Sequence, residues 1–338
     1  MEMIRTFRRP LCWTMCLLVL FAAVSPVLAS AQGVEELFTE NSPSKAALDA
    51  AGASDVAYTF YYKDTCYIYT DDETVYTYTS QDGVKMLCQL PPRPKALDDY
   101  PVKMKNINKD ELDNMVNRLL PGEDGVYGYN LYAGRFGRVD ESGIHWSDVK
   151  MDFSSVIDEK EFSPKLTRDG GVISGDQLYI NVIEMGDDSD AKQTETLYGF
   201  HLNTGKATAY GENLGITNMF RGKDGTILYT RFFQGKMGLF QLDPASGKEA
   251  QLPMDLSKFT EKLKLGGFVY DDSTDAIWFF YGTTLYRSAD GKTLEQVTIL
   301  PSSRASEGDP AWILSNGRYA FRAFLGGGIL VCPVSGVD

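Results

Sequence analysis

Short apolar runs separated by turn residues follow one another along most of the chain, which predicts many short β-strands. The pattern is clear in residues 284–297, TLYRSADGKTLEQV, where two strand-like runs flank Asp290-Gly291. Gly adopts a positive φ without strain, and Asp accepts hydrogen bonds from nearby backbone N–H groups. The stretch therefore predicts a β-hairpin with a tight turn.

The same hairpin pattern recurs along the chain, each copy marked by a glycine in its turn. The spacings between successive turn glycines are 60, 62, 42, 44 and 45 residues. A period in this range is typical of repeat architectures. We therefore expect a repeated unit, with larger insertions in the first two intervals. The turn glycines are Gly83, Gly143, Gly205, Gly247, Gly291 and Gly336.

A second pair of strand-like runs precedes the hairpin in most units. In the fifth unit these runs are residues 266–272 and 276–282, and the second contains IWFFY, which is apolar at consecutive positions. Consecutive apolar residues indicate a strand that is covered on both faces. Each unit is therefore predicted to be a four-stranded antiparallel sheet packed between two neighbours.

Four strands per unit and a turn glycine at a constant position resemble the β-propeller superfamily over residues 55–338. Residues 197–210 and 239–252 are similar to the strand–turn–strand repeat of quinoprotein-like secreted propellers. Residues 139–149 and 286–297 are similar to the Asp-box turns of sialidase-type propellers. The resemblance implies an all-β propeller of about six four-stranded blades. These turns are structural in both families, so the resemblance implies no particular reaction.

One segment departs from the strand pattern and predicts a helical insertion near residues 108–120. Asn108 is a suitable N-cap, and Pro121-Gly122 is a suitable end. Five apolar residues share one face of this helix: Leu112, Met115, Val116, Leu119 and Leu120.

The last unit ends before its fourth strand, and two interpretations remain open. Residues 33–40, GVEELFTE, supply that strand and close the ring, or the sequence is truncated at its C-terminus. Closure would cover the exposed edges of the first and last sheets. We expect residues 32–338 to form a single propeller domain.

The first 31 residues have the features of a secretory signal peptide. Three arginines precede the apolar segment 11–24, and the small residues up to Ala31 offer a cleavage site. A membrane anchor is the alternative, but the apolar segment is short for a span of about 20 residues. We expect a secreted, extracellular protein of bacterial origin that begins at Gln32 and has no membrane span.

The negative charge of the chain disfavours anionic partners. The chain has 33 basic and 46 acidic residues and a net charge of −13, which becomes −15 without residues 1–31. This charge repels phosphate backbones and anionic lipid surfaces. We therefore expect no nucleic-acid partner. The expected ligand is an extracellular glycan, a peptide or a protein.

Three cysteines remain after cleavage, and their spacing forms neither a disulfide framework nor a metal motif. Cys66, Cys88 and Cys332 are expected to be small apolar residues on strands, with a Cys66–Cys88 bridge as the alternative. The two histidines, His145 and His201, are expected to be ordinary strand residues.

The most acidic loop of the chain, residues 186–195, is the leading candidate for a metal site, and residues 69–76 are a second acidic stretch of the same kind. Asp187, Asp188 and Asp190 supply the hard oxygen ligands that Ca²⁺ prefers, but the glycine expected in a calcium loop is absent. A solvated loop tip is the alternative, and no other cofactor is expected.

The leading functional hypothesis is a non-catalytic binding or scaffold propeller with its ligand at the channel mouth. One alternative is a hydrolase or lyase acting on polysaccharide, which would require carboxylates that converge at the mouth. Another is the N-terminal propeller of a longer extracellular solute-binding protein.

The tyrosine-rich residues 58–79 either pack against the next blade or stack on a ligand. The predicted mouth comprises residues 91–125, 186–195, 234–237, 255–265, 282–284, 301–310 and 326–328.

Overall fold

The computed structural model describes most of the chain after residue 34. The described residues are 35–38, 42–95, 108–152, 166–167, 171–184, 194–212, 214–233, 236–259, 265–282, 284–299, 311–313, 318–322 and 329–333. Within them the strands form six antiparallel sheets, which we call blades 1 to 6. No described helix is both long enough and apolar enough to cross a bilayer.

The strands follow the chain from blade to blade. The first strand, β1 (Glu35–Leu37), belongs to blade 6 and is followed by helix α1 (Pro43–Ala50). Blade 1 contains β2 (Val56–Tyr62), β3 (Thr65–Thr70), β4 (Thr74–Thr79) and β5 (Gly83–Gln89). Helix α2 (Lys109–Asn114) precedes blade 2, which contains β6 (Arg118–Pro121), β7 (Val126–Asn130), β8 (Arg135–Asp140) and β9 (Gly143–Trp146).

The remaining blades continue the order. Blade 3 contains β10 (Leu166–Thr167), β11 (Val172–Ser174), β12 (Gln177–Glu184), β13 (Thr194–His201) and β14 (Ala207–Glu212). Blade 4 contains β15 (Ile216–Arg221), β16 (Ile227–Phe233), β17 (Lys236–Asp243) and β18 (Lys248–Gln251). Blade 5 contains β19 (Leu265–Asp271), β20 (Ala276–Tyr281), β21 (Thr284–Ser288) and β22 (Glu295–Ile299). Blade 6 contains β23 (Ala311–Ile313), β24 (Arg318–Arg322), β25 (Ile329–Pro333) and β1.

The all-β propeller predicted from the sequence is confirmed, but five described sheets, not six, are regular four-stranded blades. Blade 3 has five strands because its first position is divided between two short strands. β11 pairs with β12 at Gln177–Tyr179, whereas β10 pairs with Val182 and Ile183 farther along the same strand. A three-residue β11 is too short to cover the eight-residue β12, and β10 pairs with part of the remaining edge.

The turn glycines occupy equivalent places in successive blades, as predicted. Five of the six lie at the turn that joins the last two strands of blades 1 to 5, and each has a positive φ. These five are Gly83, Gly143, Gly205, Gly247 and Gly291, and Gly336 lies outside the described residues.

The apolar core is divided into layers between neighbouring blades. In β20, Ile277 and Phe279 pack against blade 4 residues such as Phe220 and Leu228, while Trp278, on the opposite face of the strand, is also fully buried. In β12, Leu178 packs toward blade 2 and Tyr179 toward blade 4. The consecutive apolar runs thus have the two covered faces that the sequence predicted.

The N-terminal segment joins the last blade to the first. β1 pairs antiparallel with β25 as the outermost strand of blade 6, as the ring-closure interpretation predicted. Leu37 and Phe38 then pack into a buried layer with Tyr61, Ile68 and Tyr76 of blade 1. Helix α1, which the sequence analysis did not predict, continues this contact through the buried Leu48.

The predicted helix over residues 108–120 is much shorter in the structure. Asn108 is its N-cap, as expected, and accepts a hydrogen bond from Asp110 N, but the helix ends at Asn114. Leu119 and Leu120 lie in β6, where they pair with Gly128 and Tyr127. The apolar residues have helical spacing, but pairing with β7 places Leu119 and Leu120 in a strand. Strand pairing therefore overrides the helical periodicity of the sequence.

The possible Cys66–Cys88 bridge is absent, and both thiols are free and buried. Cys66 lies on β3 and packs with blade 6 and α1 residues, whereas Cys88 lies on β5 and packs toward blade 2. The two side chains therefore lie on opposite sides of blade 1. They fill apolar layers, as the leading interpretation expected.

Candidate ligand-binding site

A cavity of about 410 Å³ lies along the axis of the molecule. It is lined by the innermost strands of five blades, at residues 58–60, 118–122, 171–173, 218–221 and 267–270. Successive innermost strands contact one another around this axis. A cavity built by many blades is a usual location for a ligand, because it collects side chains from distant parts of the sequence around one point.

The five innermost strands that line the cavity direct their C-terminal ends to the same opening. Tyr62, at the end of β2, donates a hydrogen bond to the carbonyl of Glu123 in the loop after β6. Gly175 N, in the loop after β11, donates to the Glu123 carboxylate, with an N–O distance of 3.3 Å. We call this opening the hairpin mouth and define it by the loops between first and second strands, at residues 122–125, 175–176, 222–226 and 272–275.

Arg118 is the first residue of β6 and enters the cavity from the end opposite the hairpin mouth. Its guanidinium lies over the ring of Tyr58, 5.1 Å from the centroid. Tyr58 is held in turn by Leu119 N, which donates to its hydroxyl at 2.9 Å, and by a stacked contact with Tyr69. The aromatic face orients the cation by a cation–π interaction.

Burial raises the pKa of Tyr58, although the Leu119 N–H and the Arg118 charge both act in the opposite direction. The hydroxyl is therefore protonated at neutral pH. It accepts a hydrogen bond from the backbone and retains its own proton for donation.

Arg221 is the last residue of β15 and lies at the hairpin mouth. Its Nη2 atom is 3.8 Å from a carboxylate oxygen of Glu123 and 3.9 Å from one of Asp272. These separations bring opposite charges together but exceed hydrogen-bond length. The Nε atom is buried and has no hydrogen-bond partner among the described residues. Arg221 is thus held by charge, and its Nε donor is unused within the described part of the chain.

A second charged group at the hairpin mouth is internally satisfied. Asp275 accepts hydrogen bonds from Tyr270, with an O–O distance of 2.5 Å, and from Lys223, with an N–O distance of 2.6 Å. The Lys223 hydrogen bond is the main cause that lowers the pKa of Asp275, and the same contact raises the pKa of Lys223. This group connects blades 4 and 5, and Lys223 is therefore already paired, unlike Nε of Arg221.

The lining combines aromatic walls with two cations. Phe220 and Phe268 stack across blades 4 and 5, with ring centroids 5.8 Å apart. Asn218 donates to Thr230 Oγ1, which fixes its amide at the wall. No aspartate or glutamate is among the described residues that line the cavity, and the carboxylates of Glu123 and Asp272 face Arg221 at the rim. Such a surface is suited to bind a compact organic molecule with an anionic group.

A second hollow of about 430 Å³ lies on blade 4, where residues 251–257 pass beside Lys236 and Met237. It is formed by one blade and its connector, and its lining contains no arginine. The axial cavity therefore remains the stronger candidate.

The structure brings few of the sequence-predicted site residues to the cavity. Of the predicted mouth, only residues 118–122 line it. Asp187, Asp188 and Asp190, the candidate Ca²⁺ ligands, lie outside the described residues, as do residues 301–310 and 326–328 of the predicted mouth. No group of three His, Cys, Asp or Glu side chains in the described part of the chain is arranged to hold a metal ion.

Neither histidine lines the cavity. His145, on β9, contacts Asp140 and Ser142 at the turn of the blade 2 outer hairpin. His201, the last residue of β13, pairs with Asp176 at 3.1 Å. The tyrosine-rich strands mainly follow the packing interpretation, since Tyr58, Tyr62, Tyr67 and Tyr69 pack with blade 2 residues such as Leu119.

Arg221, Asn218 and Tyr270 were missed in the sequence analysis, and Arg118 was included only as part of the predicted mouth segment 91–125. They lie on the first strand of their blades, and the available signal was a polar residue within the innermost run of a unit. That signal is weak, because one sequence does not show which face of the run meets the axis.

The comparisons with known proteins identify the fold alone. No protein-family model matches the chain, and no curated protein matches it. Among solved structures, a sialidase of Trypanosoma rangeli in complex with 2,3-difluorosialic acid is 10% identical, with a TM-score of 0.50 over 84% of this chain and 54% of that chain. A gluconolactonase of Xanthomonas campestris is 11% identical, with a TM-score of 0.49 over 83% of this chain and 86% of that chain. An oligogalacturonate lyase in complex with manganese is 12% identical, with a TM-score of 0.47 over 83% and 90%.

Proposed function

We propose that the protein is a secreted, non-catalytic binding module that holds a glycan fragment or a short peptide in its axial cavity. The observation that carries the proposal is the lining of the cavity, which combines aromatic rings with the polar groups of Arg118, Asn218 and Arg221. Apolar walls with a few oriented polar groups are typical of ligand sites. Secretion is proposed from residues 1–31 alone.

The size of the cavity supports a small ligand or the end of a longer one. A volume of about 410 Å³ lies at the low end of the range for small-molecule sites. The site requires no large closure, because its walls are strands held by backbone pairing in five blades. A preformed site loses little conformational entropy when a ligand binds.

The lining favours binding over glycoside hydrolysis. Hydrolysis of a glycosidic bond usually requires two carboxylates on either side of the bond. In the described lining the charged side chains are Arg118 and Arg221, and Glu123 and Asp272 face Arg221 at the rim. The positions of these groups suit recognition of a ligand, and this supports the binding hypothesis.

The proposal is tested by filling the cavity. Val269 lines it from β19, and Val269→Trp introduces an indole into the space that the ligand would occupy. We expect the wild-type protein to bind a defined class of compounds on glycan and peptide arrays, and Val269→Trp to lose that binding. Thr208→Trp, on the exposed outer strand β14, is the matched control and should retain it.

Two measurements complete the test. Thermal unfolding of both variants shows that loss of binding is not loss of fold, and Val269→Phe offers a smaller obstruction if the tryptophan prevents folding. Binding that persists at full strength in a folded Val269→Trp protein would contradict the proposal. Turnover of an array ligand by the wild-type protein would contradict the non-catalytic part of it.

A further inference from the structure

We infer that the group recognised in the axial cavity is a carboxylate and that Arg221 is its principal ligand. The inference rests on the proposed function, because it assumes that the axial cavity is the ligand site. It adds the chemical class of the ligand and the residue that selects it.

The first argument is the state of the donors on Arg221. A guanidinium has five N–H donors in a fixed plane, and a buried donor without an acceptor costs free energy. Nε of Arg221 is buried without a hydrogen-bond partner in the described chain, and its two carboxylate neighbours are 3.8 and 3.9 Å away. A planar carboxylate that enters the cavity can accept two parallel hydrogen bonds from this group.

The second argument is the charge of the cavity relative to the rest of the protein. The chain has a net charge of −13, yet the charged side chains among the cavity-lining residues are Arg118 and Arg221. Arg118 is stacked on Tyr58 and forms no ion pair with a residue in the described part of the chain. Both cations act across a partly enclosed space, where the local dielectric constant is lower than in water and their attraction for an anion is stronger.

The third argument concerns the two acids at the rim. Glu123 is fixed by Gly175 N, and Asp272 lies on the neighbouring hairpin of blade 5. Together they hold the Arg221 side chain at the hairpin mouth without occupying its hydrogen-bonding positions. A bound carboxylate would lie near both, so the repulsion would favour a ligand with one negative charge over one with several.

The experiment compares acids with neutral partners of the same shape. Glucuronic acid differs from glucose at one carbon, and glycylglycine differs from glycylglycinamide at its carboxyl end. These pairs separate a sugar acid from a peptide terminus as the source of the carboxylate. The purified protein is titrated with each compound by calorimetry or by NMR, at low and at high salt.

We expect at least one acid to bind roughly tenfold or more tightly than its neutral partner, because charge-assisted hydrogen bonds are the strong ones. Arg221→Gln should abolish that preference, and Arg135→Gln, on the third strand of blade 2, should preserve it. Glu123→Gln keeps the oxygen that accepts from Gly175 N but removes a competing charge, and should tighten binding of the acid several-fold. A residue with only a structural role would not produce this gain.

The two proposals fail in different ways. If acid and neutral partner bind equally and Val269→Trp abolishes both, the carboxylate inference is wrong and the axial site stands. If neither acid binds more tightly than its neutral partner, the inference is also wrong. If the probes bind equally well to wild-type and folded Val269→Trp protein, both proposals are wrong.

Discussion

The carbonyl oxygen of Lys150 lies directly against the backbone of Gly205, only 1.9 Å from the point where a β-carbon would stand. Gly205 also accepts a hydrogen bond from Asp152 N at 2.8 Å. The connector that leaves blade 2 therefore crosses the outer hairpin of blade 3 at its turn glycine. The turn glycine thus has two roles at this position, in the hairpin and in the contact between blades.

Because of this contact, we expect alanine substitution to reduce the stability of the protein by different amounts at two equivalent turn glycines. Gly205→Ala should destabilise the protein by about 3 kcal/mol or more, because the left-handed backbone costs ~1–2 kcal/mol and the clash with Lys150 adds to it. Gly247→Ala, at the same position of blade 4, has a similar φ but no atom within 4 Å and should cost only ~1–2 kcal/mol. Urea unfolding measures both, and equal losses would contradict the role of the blade contact.

The outer hairpin of blade 2 predicts a loss of stability in acid. Hydrogen bonds from Ser142, together with His145, lower the pKa of Asp140 to about 2. A carboxylate with a depressed pKa in the folded state stabilises the protein above its unfolded pKa of about 3.9, and this contribution is lost as the pH falls toward 2. Urea midpoints should fall less steeply between pH 4 and 2 in Asp140→Asn than in the wild-type protein.

Glu141→Gln is the matched control for that measurement. It removes the same charge one residue away, at an exposed position of the same turn. Its pH dependence should follow that of the wild-type protein. An identical slope for Asp140→Asn and the wild-type protein would show that the turn contributes nothing to the acid transition.

The closure of the ring predicts that Phe38 is important for stability. Its side chain is buried between blades 6 and 1, where it meets Tyr78 edge-on at 5.3 Å, and its backbone N–H donates to Ser44 at 2.8 Å. Phe38→Ala should cost about 3–5 kcal/mol, as large core truncations do. Met86→Ala, at a side chain that is 57% exposed, should cost less than about 0.5 kcal/mol. Similar unfolding temperatures for the two variants would contradict this account.

The cysteines of blade 1 predict slow reaction with thiol reagents. Burial raises the pKa of Cys88 to about 11 and raises that of Cys66 as well, so neither thiol is appreciably ionised near pH 8. In the native protein, labelling of both should be limited by unfolding, whereas guanidinium should make it immediate. Peptide mapping measures each site separately. A Cys66–Cys88 crosslink in protein purified under oxidising conditions would contradict the packing described here.

The repeat predicted much of the fold because it is a local property. A hairpin glycine and a doubly apolar strand such as residues 276–281 are specified within one unit, and stacking of units follows from the need to cover both faces. The contact of Phe38 with blade 1 is different, since it joins residues that are distant in the sequence. The pairing of residues 33–40 with the last blade was therefore one of two interpretations that the sequence left open.

The sequence-based predictions of secondary structure were wrong where the periodicity of apolar residues disagrees with the strand pairing in the folded protein. Leu119 and Leu120 have helical spacing relative to Leu112, but the chain pairs them with β7. Leu166–Thr167 and Val172–Ser174 form two short strands where a four-stranded unit predicts one, because both pair with the long edge of β12. Sequence propensity is weak in comparison with the free energy of completing a sheet in a packed layer.

By itself, the sequence determined the alternation of short strands and turns, the burial of both faces of the central strands and the positions of the turn glycines. Each of these features depends on residues that are close together in the sequence. The tertiary structure alone decided which polar side chains meet. Arg118 and Arg221 are separated by a whole blade in the sequence order, and they share a cavity because their strands are arranged around one axis. A propeller collects one short strand from each blade at its centre, so its binding site has no linear motif from which it could be read.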